Sequence, residues 1–320
     1  MPSLLVDAPG WLTTIQDLGR AGYGALGVSP SGAADPVAFR LANLLVGNPS
    51  NTPALEMTLL GGSFVFSDST HIAITGADFA PTVNGSPLEL WRVHKVSAGS
   101  KIVFGPTKDF ARCYLACSGG VRVPLFLGSA STHVLSGLGG CNGRALRKGD
   151  VLPVGAPSED VVAHRIPSAR LHSLWPRKVL RVTDGPQIDT FSEQARRAFF
   201  RSKFRVTEQS DRTGLRLEGP AITCQAGGDM ITEGVPLGAI QITPSGQPII
   251  LFVEQQTTGG YPKIANVIGV DLHRLGQLRP RTDIRFERIS LRVARALWID
   301  QERLLNHPRQ LFHEIHRHQL

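Results

Sequence analysis

The apolar residues of this chain come in short runs that Gly and Pro keep cutting. "GSFVFSD", "HIAITGADFAPTVNG", "KIVFG", "CYLACSGG", "VLRVTDGP" and "AIQITPSGQPIILFVE" each read as strand bounded by turn residues. With 34 Gly and 22 Pro in 320 residues, turns recur too often for long helices. Helical signals are few. Asp35-Pro36 joins an N-cap acid to Pro at the first helical position, and Val37, Leu41, Leu44 and Leu45 form a stripe that stops near Gly47-Asn48. Thr190 and Glu193 have capping-box spacing, Asp271 is placed to cap "LHRLGQL", and "SLRVARALWIDQERLL" is amphipathic and basic. The expected class is therefore mostly β, with few short helices and a C-terminal helix. Residues 155–178 mix Pro, Ser and charge ahead of a fresh strand signal, which puts a boundary near residue 170. The expected blocks are an N-terminal β-rich domain over 1–170, a second β domain over 171–300 and a helical, polar tail over 301–320.

Composition narrows the function classes. Hydrophobic residues make up 42% and charged residues 19%, a globular balance. The net charge of +8 is scattered among acids, with no zinc-finger spacing or aromatic RNA-binding signature, so no nucleic-acid partner is expected. Small anions or an acidic protein suit such a surface equally well. No apolar run reaches the roughly 18 residues of a membrane span, and the start lacks the basic region of a secretory signal. A soluble cytoplasmic protein, with no membrane partner, is the expectation. None of the four Cys forms a C-x-x-C pair, and Cys113 and Cys117 fall on one face of a strand, which predicts reduced, buried thiols. The tail sequence "HEIHR" has Arg317 where a zinc-protease helix needs its second His, so no metal site is expected.

Four segments are richer in Gly and polar groups than turns alone require. Residues 14–35, "TIQDLGRAGYGALGVSPSGAAD", end at a helix N-terminus, which suits an anion or simply a cap. Residues 116–150 hold Gly pairs and a Ser/Thr cluster able to form anion nests, with Arg122 or Arg144 adding charge, but no P-loop and no dinucleotide fingerprint. In residues 208–220, Asp211-Arg212 reads as a polar site or a turn salt bridge. "ITEGVPLGAIQITPSGQP" leads to "QQTTGGYP", residues 255–262. There Gly259-Gly260 permits close backbone approach, and Gln and Thr supply donors and acceptors. No G-x-S-x-G elbow is present. Residue chemistry by itself does not name a substrate.

These segments, together with "ALEMTLLGGSFVF" and "QTTGGYPKIANVIGVDLHRLGQLRPRTDIRF", resemble the allophanate hydrolase subunit 2 family, also called biotin-dependent carboxyltransferase-like or KipA-like. The resemblance spans roughly residues 10–290. It implies cyclophilin-like β-barrel domains. It also implies a subunit of an ATP-dependent 5-oxoprolinase complex that opens 5-oxo-L-proline to L-glutamate, with ATP bound by the complex. Two alternatives come with it: a carboxyltransferase or allophanate hydrolase-type subunit acting on urea or a related amide, and a non-catalytic KipA-like regulator that binds a KipI-like protein. The implied partner is a KipI-like sister subunit, similar to allophanate hydrolase subunit 1, in a homodimer or heterotetramer. The chain lacks the biotinyl-lysine sequence "AMKM", so no biotin attachment is expected. Recurrent polar family positions fall on Gln16, Asp17, Glu56 and Asp211, and on the residues assigned roles here other than Gly259 and Gly260. Arg20, Arg144 and Arg212 are expected to stabilise charge, and Asp35 or Glu233 to do acid–base work. Ser31, Gly32, Ser129, Ser131, Thr132, Gln256, Thr257, Thr258, Gly259, Gly260 and Tyr261 are expected to bind substrate. Two departures stand out: Ser118 where many relatives carry Arg, and "EQQTTGG" where Asp-Arg or Asp-Cys often precedes Gln. "QQTTGGYP" is expected to be a strand-end loop lining a cleft opposite "GVSPSGAAD" or "LGSAST", not a free hairpin tip.

Overall fold

The computed structural model describes residues 2–157, 161, 164–167, 178–224, 230–307 and 311–314. The chain divides into two compact units. Met1–Arg20, Ser31–Trp175 and Leu304–Leu320 form the first, and Ala21–Pro30 with Pro176–Arg303 form the second. A reading in consecutive blocks has no means of seeing this exchange of segments. The expected boundary near 170 lies outside the described residues, as do His316, Arg317 and His318.

The first unit has two main sheets. One runs β11 (Val151–Pro153), β1 (Ser3–Ala8), β4 (Ser63–Phe66), β9 (Lys101–Val103), β6 (Thr82–Val83), β7 (Ser86–Pro87). The other runs β2 (Leu12–Gln16), β3 (Ala54–Thr58), β10 (Arg112–Cys117), β5 (Thr70–Gly76), β8 (Val93–Val96). A short pair, β12 (His164–Arg165) with β22 (His313–Glu314), completes it. β10 explains the layering. Cys113, Leu115 and Cys117 enter a core shared with Leu4, Val6 and Phe64 of the first sheet, while Tyr114 and Ala116 pack against helix α1 (Pro36–Leu45). Period-2 alternation thus buries a strand on both faces, which is why "RCYLAC" is apolar throughout. All four cysteines are free; burial pushes the Cys117 thiol up to about 12.

The second unit is a closed barrel, in order β13 (Val179–Asp184), β20 (Lys263–Val267), β17 (Ala239–Ile242), β18 (Pro248–Leu251), β15 (Gly214–Glu218), β14 (Phe204–Val206), β21 (Asp283–Arg288). β13 and β21 pair in parallel; the other ladders are antiparallel. Leu180, Leu215, Ile240, Ile250, Ile264 and Ile284 are buried. Phe199 of α2 (Glu193–Arg201) stacks on Phe286 with ring centroids 4.6 Å apart. A two-stranded ribbon, β16 (Glu233–Gly234) with β19 (Thr258–Gly259), is a separate ladder. The mostly β class stands, with few helices: α3 (Leu272–Leu275) is short, and α4 (Leu291–Asn306) is the long C-terminal one. Among the described residues no helix is long and apolar enough to cross a membrane.

Two expected caps are corrected. Ser192 caps α2, its Oγ accepting from Ala195 N at 3.1 Å, whereas Thr190 Oγ1 donates to Gln187 O. The residue adjacent to the helix wins because only it can reach the third N–H. Asp271 stands at the α3 N-cap position without capping: its carboxylate instead pairs with Arg181 and Arg274. Asp35 does cap α1, with Oδ1 accepting from Val37 N at 3.1 Å and Ala38 N at 2.9 Å. Asp35→Ala is expected to cost about 1–2 kcal/mol in thermal or denaturant unfolding, and Asp35→Asn, itself a good cap, much less.

Candidate functional site

In the first unit the Gly-rich segments meet at a buried carboxylate. Asp17 Oδ1 accepts from Ser129 Oγ (2.7 Å), Ser131 Oγ (2.5 Å) and Gly19 N (2.8 Å), and Oδ2 from Ala130 N (2.7 Å). Thr132 N and Oγ1 both donate to Ile15 O, and Thr132 O accepts from Ser31 Oγ at 2.9 Å and Gln16 Nε2 at 3.1 Å. Arg20 donates to Ser131 O and lies over the Phe126 ring, 5.6 Å from its centroid. A Cβ on Gly139 would fall 2.2 Å from Ser131 O, so only Gly closes this corner. Ser31 is held at φ 56°, a left-handed conformation rare outside Gly. Six expected residues, Arg20, Ser31, Gly32, Ser129, Ser131 and Thr132, therefore lie in or beside one network, with Asp17 at its centre.

A second buried group sits at the start of α1. Asp35 N donates to Tyr114 Oη (2.7 Å), whose hydroxyl donates to Glu56 Oε2 (2.8 Å), which also accepts from Ala34 N (2.8 Å). Arg112 Nε lies 3.7 Å from Glu56 Oε1. Burial first, then the Glu56 and Asp35 charges, raises the Tyr114 hydroxyl well above its ordinary range, so it stays protonated and keeps donating. Arg144 forms a two-point pair with Asp150, at 2.8 and 2.9 Å. The Arg144 guanidinium keeps the Asp150 carboxyl below its usual range.

In the second unit Asp211 and Arg212 do not pair with each other. Asp211 Oδ1 accepts from Thr213 N and Gly214 N, bracing a turn, while Arg212 forms a buried ion pair with Glu254. "QQTTGGYP" begins beyond β18 and contributes β19, which pairs with β16 so that Glu233 faces Gly259. Lys263 Nζ, on a side chain only 2% exposed, lies 2.5 Å from Glu233 Oε1, and Gln187 Nε2 donates to the same oxygen at 2.8 Å. Lys263 above all, then Gln187, holds the Glu233 carboxyl below its ordinary range. Gln256 Nε2 donates to Gln241 Oε1 at 3.3 Å. A cavity of about 290 Å³ is lined by Asp211, Arg216, Gln241, Thr243, Gln256 and Tyr261. A second, of about 280 Å³, shares Thr243 and Tyr261 with it. Tyr261 thus lines both cavities. Thr257 contributes its carbonyl to Val235 N, and Thr258 is exposed. Sequence reasoning passed over Lys263 and Gln241, yet each is a polar residue inside an apolar strand pattern, "PKIANV" and "AIQIT". Among the described residues no group of His, Cys, Asp and Glu is arranged to hold a metal ion.

The family model for the carboxyltransferase domain, subdomain A and B, matches residues 26–288. The chain belongs to this family. It is 37% identical to the C subunit of the Escherichia coli 5-oxoprolinase over 301 residues, which cover 94% of this chain and 96% of that protein. It is also 37% identical to the urea amidolyase of Saccharomyces cerevisiae over 315 residues, covering 93% of this chain but 17% of that protein. The crystal structure of the K. lactis urea amidolyase superposes with a TM-score of 0.90 at 35% identity, over 95% of this chain and 20% of that one. The chain thus spans about a fifth of the amidolyases and nearly the whole of the 5-oxoprolinase polypeptide.

The Arg144–Asp150 pair makes a pH prediction. An Asp whose folded pKa is depressed adds stability above its unfolded pKa and loses it as pH falls through the folded one. Asp150→Asn should therefore melt lower than the parent at neutral pH. The gap should close as pH drops below about 4, measured by thermal unfolding across pH.

Proposed function

We propose that this chain is a subunit of an ATP-dependent 5-oxoprolinase complex that opens 5-oxo-L-proline to L-glutamate. The observation that carries this reading is reciprocal coverage: the match to the Escherichia coli 5-oxoprolinase polypeptide takes in 94% of this chain and 96% of that protein. Ring opening breaks a stable amide C–N bond. Consuming ATP and water and releasing ADP and phosphate drives it, provided the carbonyl is activated and the charge growing on its oxygen is stabilised. The complex supplies the ATP site, with a KipI-like sister subunit as partner, in the cytoplasm where ATP is available. Of the five residues expected to do chemistry, four have structural tasks: Asp35 caps α1, Arg144 grips Asp150, Arg212 pairs with Glu254, and Arg20 braces the Ser131 carbonyl. Glu233 remains as the half-exposed acid, paired with the buried Lys263, and we assign the proton-handling role to it.

A second reading, carboxyl transfer to urea or a related amide, draws on the 0.90 TM-score to the urea amidolyase. It requires a biotinylated partner. Mixing the purified chain with its companion subunits should release glutamate from 5-oxo-L-proline only when ATP is added, and avidin should leave the rate unchanged. No glutamate with every subunit present overturns the first reading; inhibition by avidin moves the assignment to the second.

A further inference from the structure

Two side chains on the barrel have more N–H bonds than the described structure uses. Gln241 and Lys263 are Cα partners across β17 and β20, so their side chains start as neighbours. Each is 1% exposed. Gln241 Nε2 has no acceptor among the described residues, and Lys263 Nζ has only the Glu233 carboxylate at 2.5 Å. An ammonium carries three N–H bonds and an amide nitrogen two. Buried donors without acceptors are rare in folded proteins, because water has been given up and nothing has replaced it. Here they start from paired strand positions, and Gln241 lines the cavity of about 290 Å³.

We propose that Gln241 and Lys263 form a donor pair for the carbonyl oxygen of a small carboxamide, linear or cyclic, whose body occupies this cavity. Charge selects the ligand class. Lys263 is already neutralised by Glu233, which Lys263 and Gln187 keep ionised, so the pair has little pull on a free anion. A neutral carbonyl oxygen takes hydrogen bonds without bringing a second negative charge beside Glu233. When the C–N bond is attacked, that oxygen gains charge, and the same donors then bind it more strongly. Gln256, which donates to Gln241 Oε1, fixes the Gln241 amide so that Nε2 is the free end. Gly259 belongs to the same arrangement: a Cβ there would lie 2.6 Å from Gln241 Nε2. Arg216 and Asp211 at the cavity offer charge for substituents on the ligand. The choice of 5-oxoproline as the amide rests on the function proposed above; the donor pair does not, since urea presents the same carbonyl.

The test follows the Lys263 ammonium by NMR in the purified chain, its resonance assigned by its loss in Lys263→Met. Titration with 5-oxo-L-proline and, separately, with urea should move this resonance for at least one of the two amides. Gln241→Leu should weaken that binding by about tenfold or more, the loss of one strong hydrogen bond. Gly259→Ala should weaken it too, by displacing the Gln241 amide while leaving every polar group in place. Melting temperatures of both variants check that folding survives. A response to 5-oxo-L-proline supports the site with the lactam as ligand, and a response to urea alone supports the site and shifts the ligand. A resonance that moves for neither amide, or an affinity unchanged in both variants, overturns the proposal. Failure of the glutamate assay with amide binding intact would remove the proposed reaction and leave the site standing.

Discussion

A carboxylate taken out of water must be surrounded by donors, and Asp17 shows how much structure one such requirement can organise. It is 3% exposed and accepts from two backbone N–H groups and two hydroxyls. Three of these donors come from residues 129–131, more than a hundred positions away in sequence. Folding therefore joins the loop after β2 to the Ser/Thr cluster after β10, or leaves a charge buried without partners, which is the costlier state by several kcal/mol. Ser31, Thr132 and Arg20 then have fixed neighbours, and the left-handed φ of Ser31 is held by its surroundings. These polar residues account for one another before any ligand is considered.

That internal completeness separates the two units. In the first, Asp17, Asp35 and Glu56 each have donors in place, which rigidifies the loops they join. Gln16 Oε1 and Trp91 Nε1 are exceptions, buried polar atoms with no partner among the described residues. In the second, the barrel supplies regular ladders, yet the strand positions 241 and 263 carry polar groups with N–H bonds left over. Natural sequences depart from local consistency mainly where function requires it. A Lys and a Gln facing each other on a β ladder, beside a cavity, are a stronger indication of a ligand than a dense but closed network of serines.

The fold class was legible because the relevant signal is local: Gly and Pro set strand length, and Asp35-Pro36 marks a helix start whatever surrounds it. Tertiary competition was not legible. Asp271 has a capping residue's identity and position, but two arginines take its carboxylate. Arg144, Arg212 and Asp35 carry the residue types of a catalytic site, and the structure gives each a bracing task that depends on a partner no spacing rule reveals: Glu254 is 42 residues from Arg212 in sequence. The segment 21–30, which belongs with the barrel unit while its flanks belong to the other, is Gly-rich, a composition that marks a loop and not a change of unit. Lys263 and Gln241 were visible only as polar interruptions of apolar strands, and their significance appears once the ladder sets them opposite each other.

The two glycines of "QQTTGGYP" now divide into separate physical cases. Gly259 has no positive φ to excuse it, since its strand conformation is open to any residue. Its constraint is space: the amide of Gln241 occupies the place a side chain would take. Gly260 is less crowded, with a Cβ position 3.4 Å from Met230 O and 3.5 Å from Thr232 Oγ1, ordinary contact distances. A larger residue at 260 should therefore be tolerated better than one at 259. In a loop that merely turned a corner, Gly would be needed for its backbone freedom. Here the demand at 259 comes from a buried polar side chain on the neighbouring strand, and this ties the loop's sequence to the donor pair beneath it.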